Sequence, residues 1–332
     1  MRIDIHTHFL PPEWEDWTTK YGGDRWVRLE HLDACSANMM IKDRVFRRVT
    51  DQCWSPERRI EDMNALGIDI QVISPVPIML AYWAEAEACQ AFARMQNDYC
   101  AEVVAKHPTR FQGMATVPLQ DTGLAIAELR RAADQLGLRA VEIGSFPAGR
   151  DLDSPELFPF FEACCDLGVS VFVHPADTII GKERMGQYYL PNIAGNPLET
   201  ALAITRFIFG GVMERLPALR ICFAHGGGAF VYILGRVHHG WTIRDEPKEF
   251  IANPPIDYAR KLYFDSLTHS PENLRYLIEA LGHDKIVIGS DYPFAMGEAD
   301  PVAFLETCDL EPAVIAAIEG TNALAFLGRD AG

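Results

Sequence analysis

The amino-acid sequence predicts a (β/α)8 barrel of the TIM type, with a small β-rich insertion after the first strand and helices at the C-terminus. Three observations carry this expectation. Short apolar runs recur along the chain, amphipathic stretches separate them, and several runs end in a histidine or aspartate. A Leu-Gly pair precedes four of the runs, at Leu66-Gly67, Leu136-Gly137, Leu167-Gly168 and Leu281-Gly282. Each glycine is placed to stop a helix in the left-handed conformation that a Cβ disfavours. The β-rich runs that follow cover residues 68–74, 138–145, 169–175 and 285–290. Runs at 2–7, 112–119, 220–225 and 261–267 bring the strands to eight. Helical patterns lie between them at 56–66, 84–106, 123–136, 154–167, 197–209 and 271–281. An open doubly wound sheet would want a glycine fingerprint after its first strand, whereas Phe9-Leu10-Pro11-Pro12 stands there.

Two segments exceed simple connections. Residues 9–55 hold several aromatics and alternating patches such as Trp26-Val27-Arg28-Leu29, which predicts an inserted β-rich subdomain over the barrel mouth within one domain of residues 1–332. Residues 176–196 are polar and contain glycine, and read as a lid. The tail predicts helices at 302–307, 312–319 and 322–327.

Composition narrows the function classes. At 332 residues and 48% apolar the chain can bury a single large core. No apolar stretch approaches the roughly 20 residues of a membrane span. The first strand begins by residue 2, which leaves no room for a leader, and the eight cysteines show no CxxC pair. Reduced thiols and a cytoplasmic location are the expectation. A formal charge of −16 argues against nucleic acid and anionic membranes as partners. It also requires that an anionic substrate meet cations placed locally.

The polar strand ends carry the chemistry. Alternate residues of a strand share a face, so His6 and His8 project together from the first strand. His174, His225 and Asp291 close the fifth, sixth and eighth runs. Functional side chains of such barrels gather at the C-terminal strand ends. One such histidine alone is more often a hydrogen-bonded structural residue, but five at one end of one barrel predict a metal. Imidazole and carboxylate donors without thiolate suit Zn²⁺, with Fe²⁺, Mn²⁺ or Co²⁺ possible. Three histidines and an aspartate leave a position for water, whose pKa a metal lowers toward ~7. His225 is then spare and can act as general base; alternatively it ligates and another residue is the base. Gly226-Gly227-Gly228 lacks the Lys-Ser/Thr continuation of a phosphate loop and reads as a tight turn. Lys42, Arg44, Arg47, Arg48 and Arg236 are the cations that could grip a carboxylate. A basic cluster is ordinarily a solvated face, and composition does not choose among them.

Taken together, Ile3-Asp4-Ile5-His6-Thr7-His8-Phe9-Leu10-Pro11, His174-Pro175, Cys222-Phe223-Ala224-His225-Gly226-Gly227-Gly228 and Gly289-Ser290-Asp291-Tyr292-Pro293-Phe294 resemble the amidohydrolase superfamily. Val45-Phe46-Arg47, Cys53-Trp54, Arg59-Ile60, Leu234-Gly235-Arg236 and Asn322-Ala323-Leu324-Ala325-Phe326-Leu327 narrow the resemblance to its 2-amino-3-carboxymuconate-6-semialdehyde decarboxylase branch. The resemblance implies one Zn²⁺ held by His6, His8, His174 and Asp291, with His225 as acid/base and Asp291 also part of the catalytic set. It implies a substrate carboxylate bound by Arg47, with Lys42 and Phe294 in the same site. Arg236 would be lent by the neighbouring subunit of a homodimer. Metal-activated water would add to the conjugated substrate, and CO₂ would leave. Where the family carries tryptophan, this chain has Ala176 after His-Pro and Asn192 after Leu190-Pro191. Losing two indoles enlarges the pocket and changes selectivity more than chemistry. The expected activity is non-oxidative decarboxylation of an unsaturated or aromatic carboxylate. A lactonase-like hydrolase or hydratase is the alternative, and a barrel with a purely structural zinc is a third reading. The run Ala140-Val141-Glu142-Ile143-Gly144 has no lysine to form a bridging carbamate, which favours one metal and the lyase.

Overall fold

The computed structural model describes residues 1–176 and 180–329. The first barrel strand is β1 (Ile3–Phe9), and the insertion supplies β2 (Val27–Asp33), β3 (Ser36–Ile41) and β4 (Arg44–Thr50). The other barrel strands are β5 (Ile70–Pro75), β6 (Phe111–Ala115), β7 (Ala140–Gly144), β8 (Ser170–His174), β9 (Ile221–Phe223), β10 (Tyr263–Asp265) and β11 (Ile286–Val287). The eight run β1-β5-β6-β7-β8-β9-β10-β11, and every neighbouring pair is parallel. Backbone bonds from Ile5 N to Ile288 O (2.9 Å), Asp291 N to His6 O (2.8 Å) and His8 N to Tyr292 O (2.8 Å) join the last strand to the first. The predicted barrel is the observed one.

Local chemistry explains the helix ends. Ser55 Oγ accepts from Arg58 N ahead of Pro56–Leu66, with proline in the first turn and Gly67 left-handed at the end. Ser270 Oγ caps Pro271–Leu281 by the same device. Gly282 departs from the expectation: at φ 91°, ψ 167° it leaves the helix in an extended path that only glycine takes easily. Helix Phe230–Ile243 has no counterpart in the sequence reading. Its β-branched, aromatic and glycine residues have low helix propensity, and burial of Phe230, Val231 and Leu234 holds it in place. In the tail, residues 312–326 wind on through a wider π turn at Ala317–Thr321, so the predicted gap between two helices is absent.

The core has two layers and a plug. Helix side chains such as Leu129, Phe160, Phe161 and Phe207 pack on the outer faces of the strands. Inside the cylinder, Ile3, Ile5, Met114, Phe172 and Cys222 pack with Ala323 and Phe326 of the last helix. That helix closes one end of the barrel and leaves the opposite end to the functional residues. The insertion is a three-stranded antiparallel sheet, β2-β3-β4, whose Trp26, Ala37 and Met39 pack with Trp17 and Trp54 onto Phe92. Of the predicted lid, residues 177–179 lie outside the described residues. All eight cysteines are free thiols. Among the described residues, no helix is long and apolar enough to cross a membrane.

Candidate metal centre

The barrel brings four predicted ligands to one point. His6 and His8 stand on β1, His174 closes β8, and Asp291 follows β11. One donor atom from each lies within 4.8 Å of all the others. Asp291 Oδ1 is 2.9 Å from His8 Nε2 and 3.5 Å from His6 Nε2, and the two Nε2 atoms are 3.3 Å apart. All four side chains are buried.

The far nitrogen of each ring fixes its tautomer. His6 Nδ1 meets Asp265 Oδ2 at 2.7 Å, His8 Nδ1 meets Pro75 O at 3.0 Å, and His174 Nδ1 meets Pro175 O at 2.9 Å. With those nitrogens donating and the rings neutral, three Nε2 lone pairs and a carboxylate face each other, and none of them brings a hydrogen. His174 Nε2 is buried with no hydrogen-bond partner among the described residues. Acceptors in such contact repel unless a cation lies among them. The donor set therefore fits a divalent ion of the first transition row.

The surrounding charges fit as well. Burial and then the neighbouring imidazoles push the His174 pKa well below its ordinary value. Burial opposes charge on His6, but the Asp265 carboxylate reverses this and lifts its pKa to about 9, so Nε2 takes a proton unless a cation stands there instead. Burial likewise opposes charge on Asp291, yet the His8 and His6 imidazoles beside it hold its pKa below the usual carboxylate range.

His225 sits beside the cluster, its ring centroid 4.9 Å from His174 and 5.2 Å from His6. Its Nδ1 is buried without a hydrogen-bond partner among the described residues, and burial lowers its pKa to about 4, which favours neutral imidazole. Both His225 (φ 57°) and Asp291 (φ 58°) adopt left-handed backbone, a strain of order 1 kcal/mol or more per residue that tends to gather at functional sites. The turn after His225 is tight: a Cβ on Gly228 would collide with Pro197 O.

Three buried acids near the site escaped the sequence reading. Asp265, at the end of β10, accepts from His6, from His225 N (2.9 Å) and from Gly226 N (2.8 Å), so one carboxylate orients a ligand and the loop bearing His225. It satisfies the same strand-end criterion as the others. Asp4 accepts from Ser290 Oγ at 2.5 Å and fastens β1 to the segment that carries Asp291. Glu142 of β7 lies fully buried 3.9 Å from His8 Nδ1, and burial raises its pKa.

A cavity of about 370 Å³ opens over the cluster, with His8, His174, His225 and Asp291 in its wall. Ala176 and Asn192 line it, where two indoles would take up room. A second chamber of about 380 Å³ shares His225, Asp291 and Asn192 and is mostly apolar, with Val231, Leu267 and Leu277.

The predicted substrate residues divide. Arg47, half-buried, faces the first cavity with its guanidinium 4.3 Å from the Phe294 ring centroid, and Phe294 lies 5.5 Å from the His8 ring. Arg47 has no acidic partner among the described residues. Lys42 is not brought to the site. It occupies the turn between β3 and β4, pairs with Asp24, and is five residues up the strand from Arg47, about 16 Å at the usual rise. Arg236 lies exposed on the outer helix Phe230–Ile243 and lines none of these cavities of its own chain.

An eight-stranded parallel barrel with three histidines and an aspartate converging at the strand ends defines a metal-dependent enzyme scaffold. The amidohydrolase family matches residues 3–329, and the chain belongs to that family, among its decarboxylases. It is 44% identical to a 2-amino-3-carboxymuconate-6-semialdehyde decarboxylase from Dictyostelium discoideum over 99% of this chain and 92% of that protein. The crystal structure of 5-carboxyvanillate decarboxylase from Sphingomonas paucimobilis superposes with a TM-score of 0.83, 25% identity and 99% coverage of both chains. A dihydroxybenzoic acid decarboxylase from Polaromonas sp. JS666, solved with manganese and 2-nitroresorcinol, shares the fold at a TM-score of 0.81 and 23% identity, over 98% of this chain and 96% of that one.

Proposed function

We propose that this chain is a metal-dependent, non-oxidative decarboxylase of 2-amino-3-carboxymuconate-6-semialdehyde or a related unsaturated or aromatic carboxylate. The observation that carries the reading is a buried group of donors without a hydrogen, His6, His8, His174 and Asp291, opening onto the cavity that Arg47 faces. One Zn²⁺ per subunit is the proposed ion, with Mn²⁺, Fe²⁺ or Co²⁺ as substitutes, and it would supply Lewis acidity toward oxygen. Arg47 grips the departing carboxylate and is held in place by the Phe294 face. His225 draws a proton from the water that adds to the conjugated double bond and delivers it to the carbon that bears the leaving carboxylate; hydroxide departs as CO₂ is lost. The electrons of the broken C–C bond pass into the conjugated system of the substrate.

The segment 9–55 acts in this reading as a subdomain of one domain spanning 1–332, and it contributes Arg47 and Phe46 to the cavity. The homodimer belongs to the proposal too. Arg236 shares its helix with exposed Tyr232, Ile233 and Ile243, an apolar face suited to a second copy that would receive Arg236 in its own site. A cytoplasmic location suits the free thiols.

The test is CO₂ evolution from a panel of carboxylated muconate semialdehydes, aromatic acids and lactones, with and without chelator. Chelator-sensitive CO₂ is expected from at least one acid; ring opening of a lactone without CO₂ would overturn the reading. Arg47→Ala should raise KM by about 10–100-fold, as for loss of a charged hydrogen-bonded contact. An unchanged KM in steady-state assays would remove its anchoring role.

A further inference from the structure

Arg59, on helix Pro56–Leu66, is a fully buried cation. Neutral oxygens hold its guanidinium: Nε donates to Gln71 Oε1 at 3.0 Å, and Nη1 donates to His8 O at 2.7 Å and to Gln52 O at 3.1 Å. Its Nη2 has no hydrogen-bond partner among the described residues. A buried charge with an idle donor costs stability, and an apolar side chain of similar volume would serve packing as well or better. Such a cost is typical of a position with a functional task.

The contacts of Arg59 say what the task is. Its guanidinium lies against two rings, 5.3 Å from the Phe9 centroid and 4.6 Å from that of Tyr292. Phe9 follows His8 in the chain, and Tyr292 follows Asp291. One side chain therefore touches the residue after each of two metal ligands, whose nearest donor atoms are 2.9 Å apart. The backbone of His8 is held at both of its polar atoms, since His8 N donates to Tyr292 O at 2.8 Å while His8 O accepts from Arg59. Asp62 of the same helix accepts from the Tyr292 hydroxyl at 2.7 Å and keeps that ring against the guanidinium. Metal ligands bind well only when held within about 0.5 Å of the required geometry. Arg59 lines neither chamber beside the ligands, so it acts through them and not on substrate.

We propose that Arg59 is a positioning residue that clamps the two chain segments carrying His8 and Asp291 at the spacing a metal ion needs. The inference rests on the metal reading proposed above. It adds to the four ligands a cation that sets their geometry from behind.

Metal binding provides a test independent of turnover. Zn²⁺ affinity is measured by competition with a chromogenic chelator, and ligand geometry by the visible absorption of Co²⁺-loaded protein. Arg59→Met should weaken Zn²⁺ by about 10–100-fold, as loss of support behind a ligand does, and should shift the Co²⁺ bands. Arg59→Lys keeps the charge without the planar fork, so it should move both readouts in the same direction by a smaller amount. Leu129→Ala, in the outer core, should lower the thermal midpoint of the metal-free protein and leave affinity and spectrum as in wild type. Wild-type affinity and spectrum in either Arg59 variant overturn the proposal. So does a Leu129→Ala protein that alters them as much, because general loosening would then explain the effect. If Arg59→Met does not fold, Arg59→Lys decides; failure of both to fold would make Arg59 a general stability residue and equally overturn the clamp. Wild type that takes up neither ion would refute the metal reading and the clamp with it, whereas tight wild-type binding unmoved by the variants refutes the clamp alone.

Discussion

Replacing His225 with alanine is expected to leave one metal per subunit and to lower kcat by about 10²–10⁴-fold, the usual contribution of a positioned acid/base. The expectation follows from geometry. His225 approaches His174 and His6 edge-on, yet it lies outside the group of four donors that converge. Its Nδ1 has no partner among the described residues, although it is buried beside an open cavity. A buried polar atom left unpaired costs of order 1–3 kcal/mol unless something else engages it, and here substrate is placed to do so. Alanine keeps the same left-handed strain at this position, so the variant should fold as wild type does. His8→Ala is the control and should lose metal and activity together. Metal analysis by atomic emission beside steady-state kinetics distinguishes the cases. Full activity of His225→Ala would remove it as the base, and loss of metal would make it a ligand instead.

How far the sequence revealed this site depends on which physical signal each residue left. Ligands at strand ends are legible because a parallel barrel must place them together: His6 and His8 by alternation, His174 and Asp291 by following apolar runs. Asp265 left the same signal in Tyr263-Phe264-Asp265, but aspartate after a strand is also a common turn residue, so the signal is ambiguous there. Glu142 and Asp4 sit within apolar runs, where only burial distinguishes a supporting acid from a solvent-facing one. Lys42 and Arg47 are indistinguishable by composition. The hairpin separates them, because the turn at Lys42 carries it to the tip while Arg47 stays over the barrel. Helix Phe230–Ile243 was hidden for another reason. Its propensities oppose the helix, and tertiary packing overrides them.

Asp265→Asn should weaken metal affinity by about 10–100-fold, the usual cost of losing a partner behind a ligand, although no metal-binding atom is altered. The carboxylate receives four donors on two oxygens: His6 Nδ1 and His225 N on Oδ2, Gly226 N and Leu267 N on Oδ1. Asparagine has one acceptor oxygen, so whichever way the amide turns, its NH₂ meets hydrogens from two donors. His6 then loses the charge that orients its ring and makes Nε2 a better donor to metal, and the loop bearing His225 loses its anchor. Burial opposes charge on this carboxylate, yet the His6 hydrogen bond holds its pKa below normal. Breaking a buried charged contact of this kind costs about 3–5 kcal/mol, so the metal-free variant should also unfold at lower temperature than metal-free wild type. Competition against a chromogenic chelator measures affinity, and thermal unfolding of both metal-free proteins measures the rest. An Asp265→Asn protein that binds metal as tightly as wild type would show that the β1 histidines are held by the barrel alone. In that case the strand-end carboxylate would serve the His225 turn and not the ligand.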